Sequence, residues 1–344
     1  MKQLGQIMAS EIAEIPHIFD SLLTDDSQFD SMRNILTQAK IHTVLILARG
    51  TSDNAAHFLK YLIETELGLP CGLTSPSSVT VYNSTLHFEG TLVVAISQSG
   101  RSPDLVRFAT AASKAGAKII TITNDADSPL ALLADESLAL NAGPELAVAA
   151  TKSYAAQLMM CFLLVASWNQ KKFDSQIIIE QAQKLVATPD LVSKAVALCE
   201  RGNEIVVLGR GFAYPNARET ALKVQETSKI SVQGLSTADY LHGPISALTS
   251  ATQVFILSPS HMPEHSISEA LVKLREREAR IFWIGNGGIP NASDVVISGS
   301  TCDDEVTSSI VDSISLQRFA LEFAIKSGLD PDAPAGLSKV TLTH

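Results

Sequence analysis

Glu219, Lys223 and Glu226 recur at i, i+4 and i+7 of one segment, so on a helix the three charges share a face. A carboxylate on such a face serves as a general base if the face lines a cleft. The same spacing also makes an ordinary salt-bridged, solvated helix face. Tyr214, Ala217, Ala221 and Val224 place an apolar stripe on the opposite side. His242 lies in Asp239-Tyr240-Leu241-His242-Gly243-Pro244, an irregular segment between a helix and a strand, where an imidazole is either structural or a proton carrier. Lys339 stands in a polar tail and reads on its own as a surface amine. Glu145 and Lys152 flank a helix start, and His261 and His265 read as surface residues near another. No cluster of His, Cys, Asp and Glu has metal-ligand spacing, so the chemistry expected is metal-free and without a cofactor.

A second constellation suits an anion. Ser97-Gln98-Ser99-Gly100-Arg101-Ser102-Pro103-Asp104 follows an apolar run and opens a helical pattern. Ser102 is expected to cap the helix, Pro103 to take its first position and Asp104 its first turn. A strand-to-helix turn presents free N–H groups and the positive end of the helix dipole, and the hydroxyls add donors around the same point. Gly50-Thr51-Ser52 follows the first apolar run in the same way and supplies a second wall. The corresponding Ser258-Pro259-Ser260-His261 has no glycine, so a phosphate is expected on the first lobe only. Two nucleotide readings fail: no G-x-x-x-x-G-K-[ST] occurs, and Gly209-Arg210-Gly211 has Tyr214 where a dinucleotide fingerprint needs its third glycine.

The elements that must carry these residues alternate. Thr43–Ala48, Leu92–Ser97, Lys118–Thr123 and Glu136–Asn141 read as strands, with helices at roughly 52–66, 103–115 and 146–168. After a helical stretch at 174–201, Glu204–Gly209, Gln253–Ser258, Arg280–Ile284 and Asp294–Ser298 repeat the pattern, and a last helix covers about 306–327. Near-continuous apolar strands joined by helices imply parallel sheets covered on both faces. LILARGTSDNAA (45–56) also aligns with VVLGRGFAYPNA (206–217), which makes two related α/β halves the economical reading.

With 344 residues, 46% hydrophobic and 18% charged, the chain has material for two cored domains. A net charge of -10 offers no field to draw a nucleic acid. The most apolar run, Tyr154 to Trp168, is about fifteen residues, contains Gln157, and is short for a membrane span. Cys71, Cys161, Cys199 and Cys302 lie far apart, in the manner of reduced core residues. The expectation is a cytoplasmic protein that binds neither nucleic acid nor membrane.

ISQSGRSPDL resembles the phosphosugar loop of SIS (sugar isomerase) domains, and ARGTSDNAA resembles their first loop. AGPELAVAATKSY, LGRGFAYPNARETALKVQETS, LHGPISAL and PAGLSKVTLTH resemble, in order, later motifs of the isomerase part of glucosamine-6-phosphate synthase. The resemblance implies two tandem SIS domains, each a parallel sheet flanked by helices on both faces, at 36–173 and 202–329. They would be joined by the linker at 174–201, preceded by a helical segment at 1–35 and followed by a catalytic tail at 330–344. It implies that Ser52, Ser97, Gln98, Ser99 and Ser102 hold a phosphate, that Val148 and Ala150 line the sugar, and that Glu219 and Lys223 complete the pocket. It further implies that Glu226 shuttles a proton between C1 and C2, that His242 from a partner subunit assists ring opening, and that Lys339 reaches the carbonyl carbon. The partners so implied are a phosphorylated amino sugar and a second copy of the chain, in a homodimer with shared active sites. The synthase carries a glutaminase domain that this sequence does not, and it has a serine and an arginine where Ala150 and Ala335 stand. The expected reaction is therefore that of SIS-type glucosamine-6-phosphate deaminases, which release ammonia. A fructosamine-6-phosphate deglycase, a galactosamine-6-phosphate deaminase/isomerase and a non-catalytic sugar-phosphate sensor stay open beside it.

Overall fold

The computed structural model describes residues 4–188 and 190–339. Helices α1 (Gln6–Ala13), α2 (Ile15–Thr24) and α3 (Phe29–Gln38) precede β1 (Thr43–Leu47), α4 (Thr51–Leu62), β2 (Cys71–Leu73), α5 (Ser77–Thr80) and β3 (Thr91–Ile96). Next come α6 (Pro103–Lys114), β4 (Lys118–Thr123), α7 (Pro129–Leu133), β5 (Glu136–Ala139) and α8 (Lys152–Trp168). After α9 (Ser175–Ala187) and α10 (Ser193–Leu198) the alternation resumes with β6 (Ile205–Gly209), α11 (Tyr214–Ser228), β7 (Val232–Ser236) and α12 (Thr237–Leu241). It closes with β8 (Gln253–Leu257), α13 (His265–Glu276), β9 (Arg280–Ile284), β10 (Val295–Ile297) and α14 (Glu305–Lys326).

The chain divides into two compact units. One contains residues 18–145 and 156–173 with the segment from 338. Its five strands are all parallel, in the order β2-β1-β3-β4-β5. The central strand β3 is buried along its whole length, which is why its sequence, TLVVAI, lacks the polar alternation of a half-exposed strand. Val93 and Ala95 pack with Phe108, Ala109 and Ala112 of α6 and with Leu130 of α7. The Phe88 ring meets Phe108 edge-on, with centroids 6.0 Å apart.

The other unit contains residues 4–17, 146–155 and 174–337 within the described residues. Its five parallel strands run β10-β9-β8-β6-β7. Period-two alternation along β8 splits its residues between two buried faces. Val254 and Ile256 pack with Ile267 and Leu274 of α13. Phe255 stacks on Phe282 at 4.5 Å and meets Phe319 of α14 at 4.7 Å. α/β sheets covered on both faces, as the alternation implied, are what the chain forms. The four cysteines are free and buried, and burial pushes the Cys71, Cys199 and Cys302 thiols up to about 12. Among the described residues no helix is long and apolar enough to cross a membrane. Of the segments assigned from the sequence, residues 1–3, Pro189 and 340–344 lie outside the described residues.

Candidate functional site

The anion loop leaves β3 at its carboxyl end, beside the exit from β1, because the two strands pair in register with Leu47 opposite Ala95. Ser97 extends the pairing, its N–H donating to Ile122 O at 3.0 Å, and the chain then turns at Gly100. Gly100 has φ +61, and a Cβ there would lie 2.1 Å from Ser128 Oγ, so the turn accepts no side chain. Inside the loop Ser97 Oγ accepts from the Gly100 N–H at 3.1 Å and Ser99 Oγ from the Arg101 N–H at 3.4 Å. Pro103 opens α6 as expected. Ser102 occupies the N-cap position, but its hydroxyl makes no capping bond; extended backbone at Ser102 carries the turn, and the side chain is left to other partners. Arg101 is drawn to Asp125, 2.6 Å away, and this contact holds the Asp125 carboxyl below its ordinary range.

Arg49 Nε donates to buried Asp104 Oδ2 at 2.9 Å and so ties the loop after β1 to the first turn of α6. Ser52, buried in the first turn of α4, accepts from Gln157 Nε2 of α8 at 2.9 Å. One end of one sheet thus gathers Ser52, Ser97, Gln98, Ser99 and Ser102, with the N-termini of α4 and α6. Such a cradle can hold a dianion through hydroxyls and backbone donors. In the same unit Lys339 Nζ lies 3.0 Å from Glu145 Oε2, and the Glu145 side chain is 0% exposed.

The charged residues of α11 belong to the second unit. α11 packs against β6, β7 and α14, and it is buried well beyond its apolar stripe. Lys223 is 2% exposed and Glu219 4%, so the solvated-face reading that their spacing allowed is overturned. Lys223 Nζ stands 3.5 Å from Glu219 Oε1 and 2.5 Å from Glu226 Oε2, and only Glu226 of the three is partly open, at 24%. Removing three charges from water is costly unless they neutralise one another. The arrangement leaves one accessible carboxylate whose charge is held by a fixed ammonium. His242 caps the C-terminus of α12, is exposed, and among the described residues has no side-chain bond to α11.

Val148 and Ala150 are partly buried in an irregular stretch before α8, which begins at Lys152 and not at 146 as the apolar pattern suggested. Gly143 and Pro144 keep the preceding chain out of helix. Two carboxylates in this unit, buried Asp312 and half-buried Glu305, had no sequence signal of a role. Burial pushes Asp312 up to about 7 despite the Ser300 N–H donating to it at 2.6 Å. Burial likewise raises Glu305 to about 7, although it accepts from the Phe212 N–H.

The SIS domain family matches the chain at residues 35–167 and 199–327. The isomerizing glutamine–fructose-6-phosphate aminotransferase of Methanothermobacter thermautotrophicus is 30% identical over 338 residues, which is 96% of this chain but 56% of that protein's length. The C-terminal domain of the glucosamine-fructose-6-phosphate aminotransferase from Francisella tularensis superposes with a TM-score of 0.84 at 23% identity, covering 97% of this chain and 99% of that one. The glucosamine-6-phosphate deaminase of Thermotoga maritima superposes with a TM-score of 0.78 at 20% identity, covering 98% and 100%. At these identities the two structures speak to the fold.

Proposed function

The chain belongs to the SIS domain family and is related to the isomerase part of the aminotransferases, and from that premise we propose that it is a glucosamine-6-phosphate deaminase. The observation that carries the reading is the buried Glu219–Lys223–Glu226 group, one carboxylate of which stays accessible. A sugar-phosphate sensor needs the phosphate cradle but has no use for a buried charged group of this kind, which costs several kcal/mol to assemble. Phosphosugar chemistry is common to the named relatives, and proton transfer and hydrolysis need only water as co-reactant.

In the proposed mechanism Ser52, Ser97, Gln98, Ser99 and Ser102 hold the phosphate, and Val148 and Ala150 line the sugar. His242, from the partner copy of a homodimer, assists ring opening. Glu226 takes the C2 proton of the open-chain aldehyde as O1 is protonated to an enaminol, and returns it to C1 as the amino nitrogen gives up a proton to solvent, which leaves a C2 imine. Lys223, 2.5 Å away, steadies the carboxylate before and after the transfer, and Glu219 anchors Lys223. Water adds to the imine carbon, and fructose 6-phosphate and ammonia leave. In this reading Lys339, paired with Glu145 at 3.0 Å, is the amine that reaches the carbonyl carbon.

Ammonia release from glucosamine, galactosamine and fructosamine 6-phosphates, measured side by side, tests the assignment. Turnover of the glucosamine ester at the highest kcat/KM supports it. Preference for either of the others moves the substrate and keeps the fold, and turnover of none removes the enzyme reading.

A further inference from the structure

Residues 146–151 carry Val148 and Ala150, yet they form neither helix nor strand, so their shape must come from outside. The Leu146 and Ala147 N–H groups both donate to Glu11 Oε1 of α1, the latter at 3.2 Å. The Val148 N–H donates to Asp332 O at 3.0 Å, and Thr151 O accepts from Gln317 Nε2 at 2.9 Å. Asp332 in turn sets its carboxylate on the N-terminus of α1, accepting from the Met8 N–H at 2.8 Å and the Ile7 N–H at 3.1 Å. Just past the other end of the helix, Glu14 pairs with buried Lys152 at 2.6 Å.

Glu11 is 3% exposed although it sits on a helix of eight residues at the chain's start. A buried carboxylate is tolerated where donors compensate it. Here two of those donors are consecutive backbone amides of a loop with no regular structure, so the charge shapes the loop.

We propose that Glu11 is a positioning residue: it holds loop 146–151 in its binding-competent form and makes the N-terminal helix the frame for sugar affinity. The proposal rests on the reading that Val148 and Ala150 line the sugar. A loop that visits its competent shape only part of the time binds its ligand more weakly by that fraction, while turnover of the bound complex is spared. The effect therefore belongs in KM and in loop protection.

Glu11→Gln keeps the shape and one acceptor oxygen but removes the charge. With glucosamine 6-phosphate, KM should rise about tenfold, equivalent to about 1.4 kcal/mol, with kcat held within about threefold. Amide hydrogen exchange at Leu146, Ala147 and Val148 should quicken while β6 and β8 keep wild-type rates. A residue that only stabilised the fold would lower the melting temperature and the active fraction and leave KM unchanged. Wild-type KM together with wild-type exchange at these amides overturns the proposal. If the wild type turns over no amino-sugar phosphate, the substrate reading fails and the sugar-lining role falls with it, whereas an active wild type matched by the variant sinks the role of Glu11 alone. Should the variant not fold, exchange in the ligand-free wild type decides: slow amides at 146–148 support the clamp, and unprotected ones refute it.

Discussion

Lys223→Met tests whether the charges on α11 form one buried unit. Methionine nearly matches the lysine stem, so packing is preserved and the ammonium alone is lost. Glu219, 4% exposed, would then lose a cation 3.5 Å away, and Glu226 one at 2.5 Å. Removing one partner of a buried ion pair destabilises by about 3–5 kcal/mol, because the remaining charge stays desolvated. At about 2–4 °C per kcal/mol for domains of this size, the melting temperature should drop by on the order of 10 °C. Glu219→Gln in the same chain removes the buried charge that Lys223 had offset and should recover part of the loss, a coupling readable from a double-mutant cycle followed by circular dichroism. Ammonia release should stay low in the double variant, because Glu226 still lacks its ammonium. A single variant that melts within 1–2 °C of wild type would refute the reasoning.

Other perturbations address other parts of the molecule. Gly100→Ala forces a methyl onto Ser128 Oγ at 2.1 Å in a left-handed turn. Substrate affinity measured by calorimetry should fall at least about tenfold, since even a modest shift costs charge-assisted hydrogen bonds of about 1.5–3 kcal/mol. Asp312 has a folded-state value raised to about 7 from 3.8, so its contribution is fully present below about pH 4 and is lost as pH rises to 7. Asp312 should therefore add up to about 1.4 kcal/mol per pH unit of downward slope to the stability from denaturant titration across that window, and Asp312→Asn should remove that share while the share from Glu305, also raised to about 7, stays. Mixing inactive Glu226→Gln with inactive His242→Ala should restore some activity through hybrid dimers; no recovery despite proven subunit exchange would mean that each site is built from one chain.

Much of the fold was legible because the central strands leave a strong trace. TLVVAI carries a continuous apolar run, and KIITIT is β-branched from Ile119 to Thr123 and buried over those five residues, as a doubly covered strand requires. The edge strands β2 and β7 went unread: CGL is three residues with a central glycine, and VQGLS is broken by Gly234. At Gly234 a Cβ would meet Ala217 O at 2.5 Å, so the glycine is there for α11 to approach the strand closely. The turn from β3 into α6 was readable because its glycine and proline obey local backbone rules. Burial of Glu219 and Lys223 was not, since spacing cannot say whether a charged face meets water or protein. Gln157 marked itself as the polar residue within the most apolar run, but its partner Ser52 is 105 positions away and only the fold supplies it. The Glu145–Lys339 pair and the Glu11 clamp are equally long-range.

The central claim is that Glu226 carries the proton between C2 and C1. Glu226→Gln keeps the shape of the side chain and an oxygen toward Lys223, but the amide cannot accept the proton. Incubated with glucosamine 6-phosphate in deuterated water and followed by proton NMR, the variant should bind the sugar with near-normal affinity while washing no deuterium into C2 and releasing no ammonia. Exchange of the C2 hydrogen at the wild-type rate would contradict the account and move the base to Glu219 or Glu145.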